Sequence, residues 1–221
     1  MMDDSFEFAR VRGQLVWVRV GASLEEIEEA LARREARAEA TAAIAVSLPT
    51  SFTRDDPRPL LLIDVDGVVC PYGDELADPA AAGIDRTSVG YLPVWLSRGI
   101  AGRMRLLGKS FQLVWCTSWE DQAAESLAPH LRLPAMPVIH FDEPVSDDGH
   151  WKWPAIDAFV GGRPFAWIDD ELGRADFARA ERRPIPTRLV RIEGSHGLED
   201  SHVEELQDFA GAVRAWVERA R

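Results

Sequence analysis

Asp64 and Asp66 stand two residues apart at the end of an apolar run, LLLI at residues 60–63, and Gly67 follows them. A carboxylate at the tip of a buried strand can attack phosphorus and carry the phosphoryl group as an aspartyl phosphate, dividing one displacement into two easier steps. The second carboxylate, placed after the chain turns out of the sheet, can protonate the leaving oxygen and then deprotonate the water that hydrolyses the intermediate. Gly67 permits the tight backbone exit. Three further groups fit the same chemistry. Thr117, with Ser118 as a second candidate, offers a hydroxyl to a phosphoryl oxygen, and Lys152 offers a compact positive charge for phosphate and nucleophile. Asp169 and Asp170 add two more carboxylates. Four acids meeting in one crevice would repel each other without a cation, and clustered hard oxygen donors are what Mg²⁺ requires. The expected metal ligands are therefore Asp64, Asp66, Asp169 and Asp170.

These residues fall where a particular architecture would need them. Continuous apolar runs occur at residues 60–64, 111–116 (FQLVWC), 137–141 (PVIHF), 165–168 (FAWI) and, more weakly, 189–192 (LVRI). Helical stretches lie between them, near residues 99–107, 120–130, 153–160 and 173–182, with a last helix over 202–219 opened by Ser201 and Glu204 as a capping box. Short strands buried on both faces and separated by helices predict a parallel sheet covered by helices. In such sheets ligands bind beyond the carboxyl ends of the strands, and three of the four groups of candidate residues follow an apolar strand directly.

Each piece alone has a structural reading. A DxDG segment can be a turn or a calcium loop, a Thr-Ser pair after a strand can cap a helix, a single lysine can lie on the surface, and adjacent acids can precede a helix. The order decides: acid pair, hydroxyl, lysine, acid pair. A phosphate-receiver domain also gathers acids, a threonine and a lysine around Mg²⁺, but there no acid pair comes last.

Residues 1–58 read as a separate appendage and residues 59–221 as the α/β domain. FEFARV and QLVWVR flank Gly13 and alternate as a hairpin does. Ser23 and Glu26 form a capping box for a helix bearing Leu24, Ile27 and Leu31, and the proline-rich segment 49–59 reads as a linker. The appendage is a candidate surface for homodimer formation. A formal net charge of −12 disfavours broad attraction to nucleic-acid backbone or anionic lipid. Arginines cluster at Arg33, Arg34 and Arg37, at Arg98, Arg103 and Arg105, and at Arg179, Arg182 and Arg183, each readable as a solvated helix face. Only two of the 25 basic residues are lysines, Lys109 and Lys152, which by itself is a weak pointer to places where guanidinium does not fit, since two could be chance. No apolar run approaches a membrane span, and the acidic start MMDDSFEF lacks the features of a signal peptide, which makes the cytoplasm the expected location. Cys70 and Cys116 sit among apolar residues and read as reduced, partly buried thiols.

The segments DVDGVV, VWCTSW, HWKW and WIDDE resemble the four motifs of the haloacid dehalogenase (HAD) superfamily, over residues 60 to about 216. More narrowly the chain resembles small actinobacterial proteins related to the HAD domains of RNA-repair polyproteins. It shares with them Val114, Trp115, Thr117, Trp119 and Glu120, the HWK triplet, and a late Gly197-Leu198, and departs from them at Ala124, where they carry asparagine. The resemblance implies a Rossmann-like three-layer sandwich with a five-stranded, mainly parallel sheet, Mg²⁺, the roles given above, and the main-chain carbonyl of Asp66 as a further metal ligand. Asp66 argues against carbon–halogen cleavage, which needs no acid for an alkoxide. The two insertions that could carry a cap hold about thirty residues each, too few for a substantial lid by the usual size of a domain. The expected activity is a phosphomonoesterase acting on bulky or polymeric phosphoesters. The alternatives are a nucleic-acid end-processing phosphatase of RNA or DNA repair and a catalytically inactive HAD-like binding module.

Overall fold

A strand with no polar position has no face to give to water and must be covered on both sides. Three segments close to this kind, and a fourth edge segment that exposes Arg188 and Arg191, build the centre of the molecule. In the computed structural model they are β3 (Leu60–Ile63), β6 (Gln112–Trp115), β7 (Phe165–Asp169) and β8 (Thr187–Arg191), all parallel, in the spatial order β6-β3-β7-β8. The structure describes residues 6–11, 14–19, 23, 25, 26, 28, 56–73, 78–90, 92–141 and 150–219. The chain divides into two compact units, Met1–Leu48 and Pro49–Arg221.

In the first unit β1 (Phe6–Val11) and β2 (Gln14–Arg19) pair antiparallel, as the alternation predicts. Ser23 and Glu26 make the reciprocal bonds of a capping box: the Glu26 N–H donates to Ser23 Oγ (3.3 Å), and the Ser23 N–H donates to Glu26 Oε2 (2.7 Å). The helix face of Leu24, Ile27 and Leu31, the cluster Arg33, Arg34 and Arg37, and the linker's residues 49–55 lie outside the described residues.

The second unit is a three-layer sandwich. On one side of the sheet Leu61, Ile63, Leu113, Trp115, Ala166 and Ile168 pack with α1 (Ile100–Ser110) and α5 (Asp200–Arg219), through Met104, Leu107, Leu206 and Phe209 among others. The alternate residues Leu60, Leu62, Val114, Phe165 and Trp167 pack on the other side with α3 (Trp153–Val160) and α4 (Arg174–Glu181). Between β3 and α1 lies a second hairpin, β4 (Ile84–Val89) with β5 (Leu92–Ser97). Its Val89, Leu92 and Val94 join the first of these cores. Cys70 and Cys116 are buried free thiols, and burial holds both well above the ordinary thiol range.

Two expectations change. Among the described residues the sheet has four strands, and a fifth is not found among them. The segment at residues 137–141 lies beside β6, but it forms only one bridge, Trp115 to Val138, flanked by Trp115 N–H to Pro137 O and Ile139 N–H to Trp115 O, both 2.9 Å. Beyond that bridge it turns toward the loop after β6: the Phe141 N–H reaches Glu120 Oε1 (3.4 Å) and His140 Nε2 meets Asp121 Oδ1 (2.9 Å). Side-chain partners on that loop take the segment away from the ladder. The last helix begins at Asp200, so Ser201 lies inside its first turn, and His202 Nδ1 accepts the Glu199 N–H (3.0 Å). The stretch near 120–130 is helical, as one π turn (Ala123–Leu127) running into α2 (Ala128–His130).

Candidate active site

The strand register aligns the carboxyl ends: Ile63 stands opposite Trp115 on one side and Ile168 on the other. The Cys116 N–H donates to Ile63 O (2.8 Å) and the Asp64 N–H to Ile168 O (3.1 Å), so the residues after each strand leave the sheet at one level. The chain passes from β3 to β6 on one side and returns to β7 on the other, which makes β3 the topological switch point where crevices open.

Asp64 sits at that point. Its Oδ1 accepts the Val65 N–H (2.7 Å) and its Oδ2 lies 2.9 Å from Lys152 Nζ. The same ammonium donates to Asp169 Oδ2 at 2.7 Å. Lys152 is 2% exposed and Asp169 fully buried, so this is a dry ion triad. Burial works to lower the lysine pKa, but the flanking carboxylates of Asp64 and Asp169 outweigh it and hold the ammonium form above its ordinary range. Burial also opposes ionisation of Asp169, yet His150 and Lys152 hold its carboxyl down to about 2. Asp64, desolvated and facing Asp169 and Asp66, is pushed up to about 7 against the pull of Lys152. Of the two carboxylates sharing the ammonium, Asp169 therefore ionises first. It also takes the shorter bond and accepts the Glu171 N–H at Oδ1 (2.9 Å).

Asp66 lies beyond the bend. Residues 65–70 curl tightly, with three amides (Val68, Val69 and Cys70) converging on Val65 O, and Gly67 there has φ +69°. A Cβ on Gly67 would stand 2.4 Å from Asp170 Oδ2, so the glycine lets the Asp170 carboxylate approach the loop. Asp66 Oδ2 accepts the indole N–H of Trp119 (2.9 Å). Burial raises the Asp66 pKa, and the Trp119 bond opposes the rise. Asp170 is half-buried, and burial with the charge of Asp169 raises its pKa, while the Tyr72 hydroxyl bonded to it works the other way.

Asp64, Asp169 and Asp170 each present an oxygen within 4.8 Å of the others. Three hard oxygen donors at this spacing fit Mg²⁺. The side chain of Asp66 is not in this group; it is turned to Trp119. Thr117 is fully buried and its Oγ1 accepts the Trp119 N–H (3.3 Å), while Ser118 is half-buried. The fold thus brings Asp64, Lys152, Asp169 and Asp170 together, with Asp66 and Thr117 joined to one another through Trp119.

A second grouping, His150 with Asp169 and Glu171, presents buried Nε2 3.7 Å from Asp169 Oδ1 and 3.8 Å from Glu171 Oε2. Those separations are too long for hydrogen bonds. His150 Nδ1 accepts the Lys152 N–H (3.3 Å), which leaves the ring proton on Nε2, so this edge offers a donor and not a metal ligand.

Residues absent from the sequence expectation also hold the site. Trp119 was visible as part of a motif without a role. Tyr72, whose hydroxyl bonds to Asp170, had no role assigned to it. Asp176, 4% exposed, binds the segment that carries Lys152. Its legible signal was its place three residues after Gly173, where a carboxylate caps a helix.

The fold and this set of strand-end residues define a haloacid dehalogenase-type domain. The family model for the HAD domain in Swiss Army Knife RNA repair proteins matches residues 60–203, and the chain belongs to that family. No curated protein matches the chain. A domain of this family points to a phosphatase-type hydrolase.

Proposed function

We propose that the protein is a Mg²⁺-dependent phosphomonoesterase that works through an aspartyl phosphate on Asp64. The observation that carries this reading is the buried contact of Lys152 Nζ with both Asp64 and Asp169, two of the three grouped carboxylates. An Asp64 oxygen attacks phosphorus as the bond to the leaving oxygen breaks, and Asp66 passes its proton to that oxygen. Water then attacks the same phosphorus, Asp66 takes the water's proton, and the bond to Asp64 breaks to release inorganic phosphate. The raised pKa of Asp66 suits it to start protonated. Trp119 occupies its Oδ2, which leaves Oδ1 to hold the transferred proton. The Thr117 hydroxyl, accepting from Trp119, keeps its own proton to give to a phosphoryl oxygen. Lys152 draws negative charge from Asp64 and the phosphoryl group.

Asp64 and Asp170 would hold Mg²⁺ directly, with the Asp66 carbonyl that the HAD resemblance adds, while Asp169 is spent on Lys152 and the Glu171 amide. When bound, the ion supplies positive charge to the phosphoryl oxygens and to the crowded carboxylates. Hydrolysis of p-nitrophenyl phosphate by the purified chain should require Mg²⁺, stop with chelator, and be absent in Asp64→Asn. Turnover that ignores chelator would overturn the metal requirement.

A narrower reading of the substrate, a phosphorylated RNA end, is favoured by the family's description in RNA repair proteins. A screen of 5′- and 3′-phosphorylated oligoribonucleotides against sugar phosphates and mononucleotides tests it. Preference for the small molecules rejects it while leaving the phosphomonoesterase reading intact.

A further inference from the structure

Asp176 is a buried carboxylate that stands apart from the strand-end acids. Its Oδ2 accepts the Gly173 N–H (2.8 Å), which closes the start of α4, and a helix cap needs nothing more. Its Oδ1 accepts two further donors from a different element: the His150 N–H (3.1 Å) and the indole N–H of Trp153 (2.7 Å). These two residues bracket the Trp151-Lys152 pair. The loop is closed on itself as well, by the Trp153 N–H to His150 O (3.1 Å) and the Lys152 N–H to His150 Nδ1 (3.3 Å). Trp153 is held edge-on against Trp167, with ring centroids 5.3 Å apart, so its N–H direction is set by the core. One carboxylate thus ties both ends of the lysine-bearing turn to the head of α4. Lys152 is the first cation of the site, and its long side chain has no rigidity of its own.

We propose that Asp176 is a positioning residue: by holding His150 and Trp153 it fixes the turn from which Lys152 reaches between Asp64 and Asp169. The inference rests on the phosphohydrolase reading of those three residues. Asparagine is the informative replacement, because it keeps the size and changes the bonding. An amide has one oxygen and one NH₂, so whichever way it turns, an NH₂ faces an N–H donor, either the Gly173 amide or the pair from His150 and Trp153.

The test is a double-mutant cycle in the full chain, with Asp176→Asn and Lys152→Met made singly and together. It is read by kcat for Mg²⁺-dependent p-nitrophenyl phosphate hydrolysis and by calorimetric binding of orthovanadate, which needs no turnover. Asp176→Asn should lower kcat by about 10- to 100-fold with KM little changed. In the Lys152→Met background the same substitution should change kcat by less than about twofold, since its route of action is gone. An equal fold-loss with and without Lys152 in both readouts, or a wild-type kcat in Asp176→Asn, overturns the inference. If Asp176→Asn does not melt cooperatively, Trp153→Phe, which removes one donor and leaves the carboxylate, carries the same cycle. A chain that binds orthovanadate through Lys152 yet hydrolyses nothing rejects the phosphohydrolase reading alone.

Discussion

Lys152 divides one positive charge between two carboxylates, and the division is unequal. Asp169 is held down to about 2 and Asp64 pushed up to about 7. For Asp64 the linkage is plain. Its folded pKa exceeds its unfolded value, so between about pH 4 and pH 7 the folded state binds the extra proton and stability falls as pH rises. Asp66 and Asp170 shift in the same direction. Asp169 contributes stability above its unfolded pKa that is lost only as pH falls toward 2. The metal-free chain in chelator should therefore melt at a lower temperature at pH 8 than at pH 5.5. Mg²⁺ should raise the melting temperature more at pH 8, because ligands must be deprotonated to bind it. A melting temperature that climbs through this range in chelator would contradict the buried, crowded state of these acids. Trp119→Phe removes the N–H that pins Asp66 and little else. A hydrogen bond to a charged group is worth roughly 1.5–3 kcal/mol, and Asp66 is charged when it deprotonates the water, so kcat should fall by about tenfold or more. Mg²⁺ affinity should stay unchanged, as isothermal calorimetry would report, because Asp66 offers no side-chain ligand.

At the scale of elements, the loop from Val65 to Cys70 decides whether strand-end acids become a site. Gly67→Ala puts a Cβ 2.4 Å from Asp170 Oδ2 at a backbone angle of φ +69°. The substitution should cost about 1–3 kcal/mol and weaken Mg²⁺ binding; a variant with wild-type melting temperature and affinity would show that the loop does not set the position of Asp170. Gly67 was legible because a glycine after an acid pair at a strand end has few other purposes. The strand tips were legible for a related reason: LLLI, QLVW and FAWI are apolar but for Gln112 at one end, so their burial on both faces follows from composition. The hairpin β4–β5 was not. IDRTSV exposes Asp85 and Arg86 and buries only its ends, a pattern that reads as loop, and its partner strand joins the core through Leu92 and Val94. The expected fifth strand failed for the opposite reason. PVIHF is apolar enough, but Glu120 and Asp121 of the neighbouring loop hold its last residues. No local pattern reports a partner twenty residues away, and the same holds for Asp176 and Trp153.

For the whole molecule the net charge of −12 sets the terms on which a nucleic-acid end could be bound. Several clustered arginines among the described residues are already engaged: Arg98 with Asp85 (2.7 Å), Arg103 with Asp200 (2.6 Å), Arg179 with Asp157 (2.6 Å), and Arg183 with the same Asp157. Recognition of an RNA end should then rest on the terminal phosphate and few backbone contacts. Each backbone phosphate neutralised steepens the salt dependence. The kcat/KM for a phosphorylated oligoribonucleotide should fall by less than about tenfold between about 50 and 200 mM salt, as expected for one or two contacts. A loss of a thousandfold would reveal a basic face that engages many backbone phosphates. Among those residues no helix is long and apolar enough to cross a membrane.

Covalent chemistry at Asp64 is the claim on which these scales converge, and acid-quench peptide mapping tests it most directly. Chain mixed with Mg²⁺ and a phosphomonoester, quenched within a turnover, should yield the peptide spanning Leu60–Ile63 and Asp64 heavier by one phosphoryl group. The label should sit on Asp64, disappear in Asp64→Asn, and persist longer in Asp66→Asn. A label on any other residue, or steady hydrolysis by Asp64→Asn, would contradict the account.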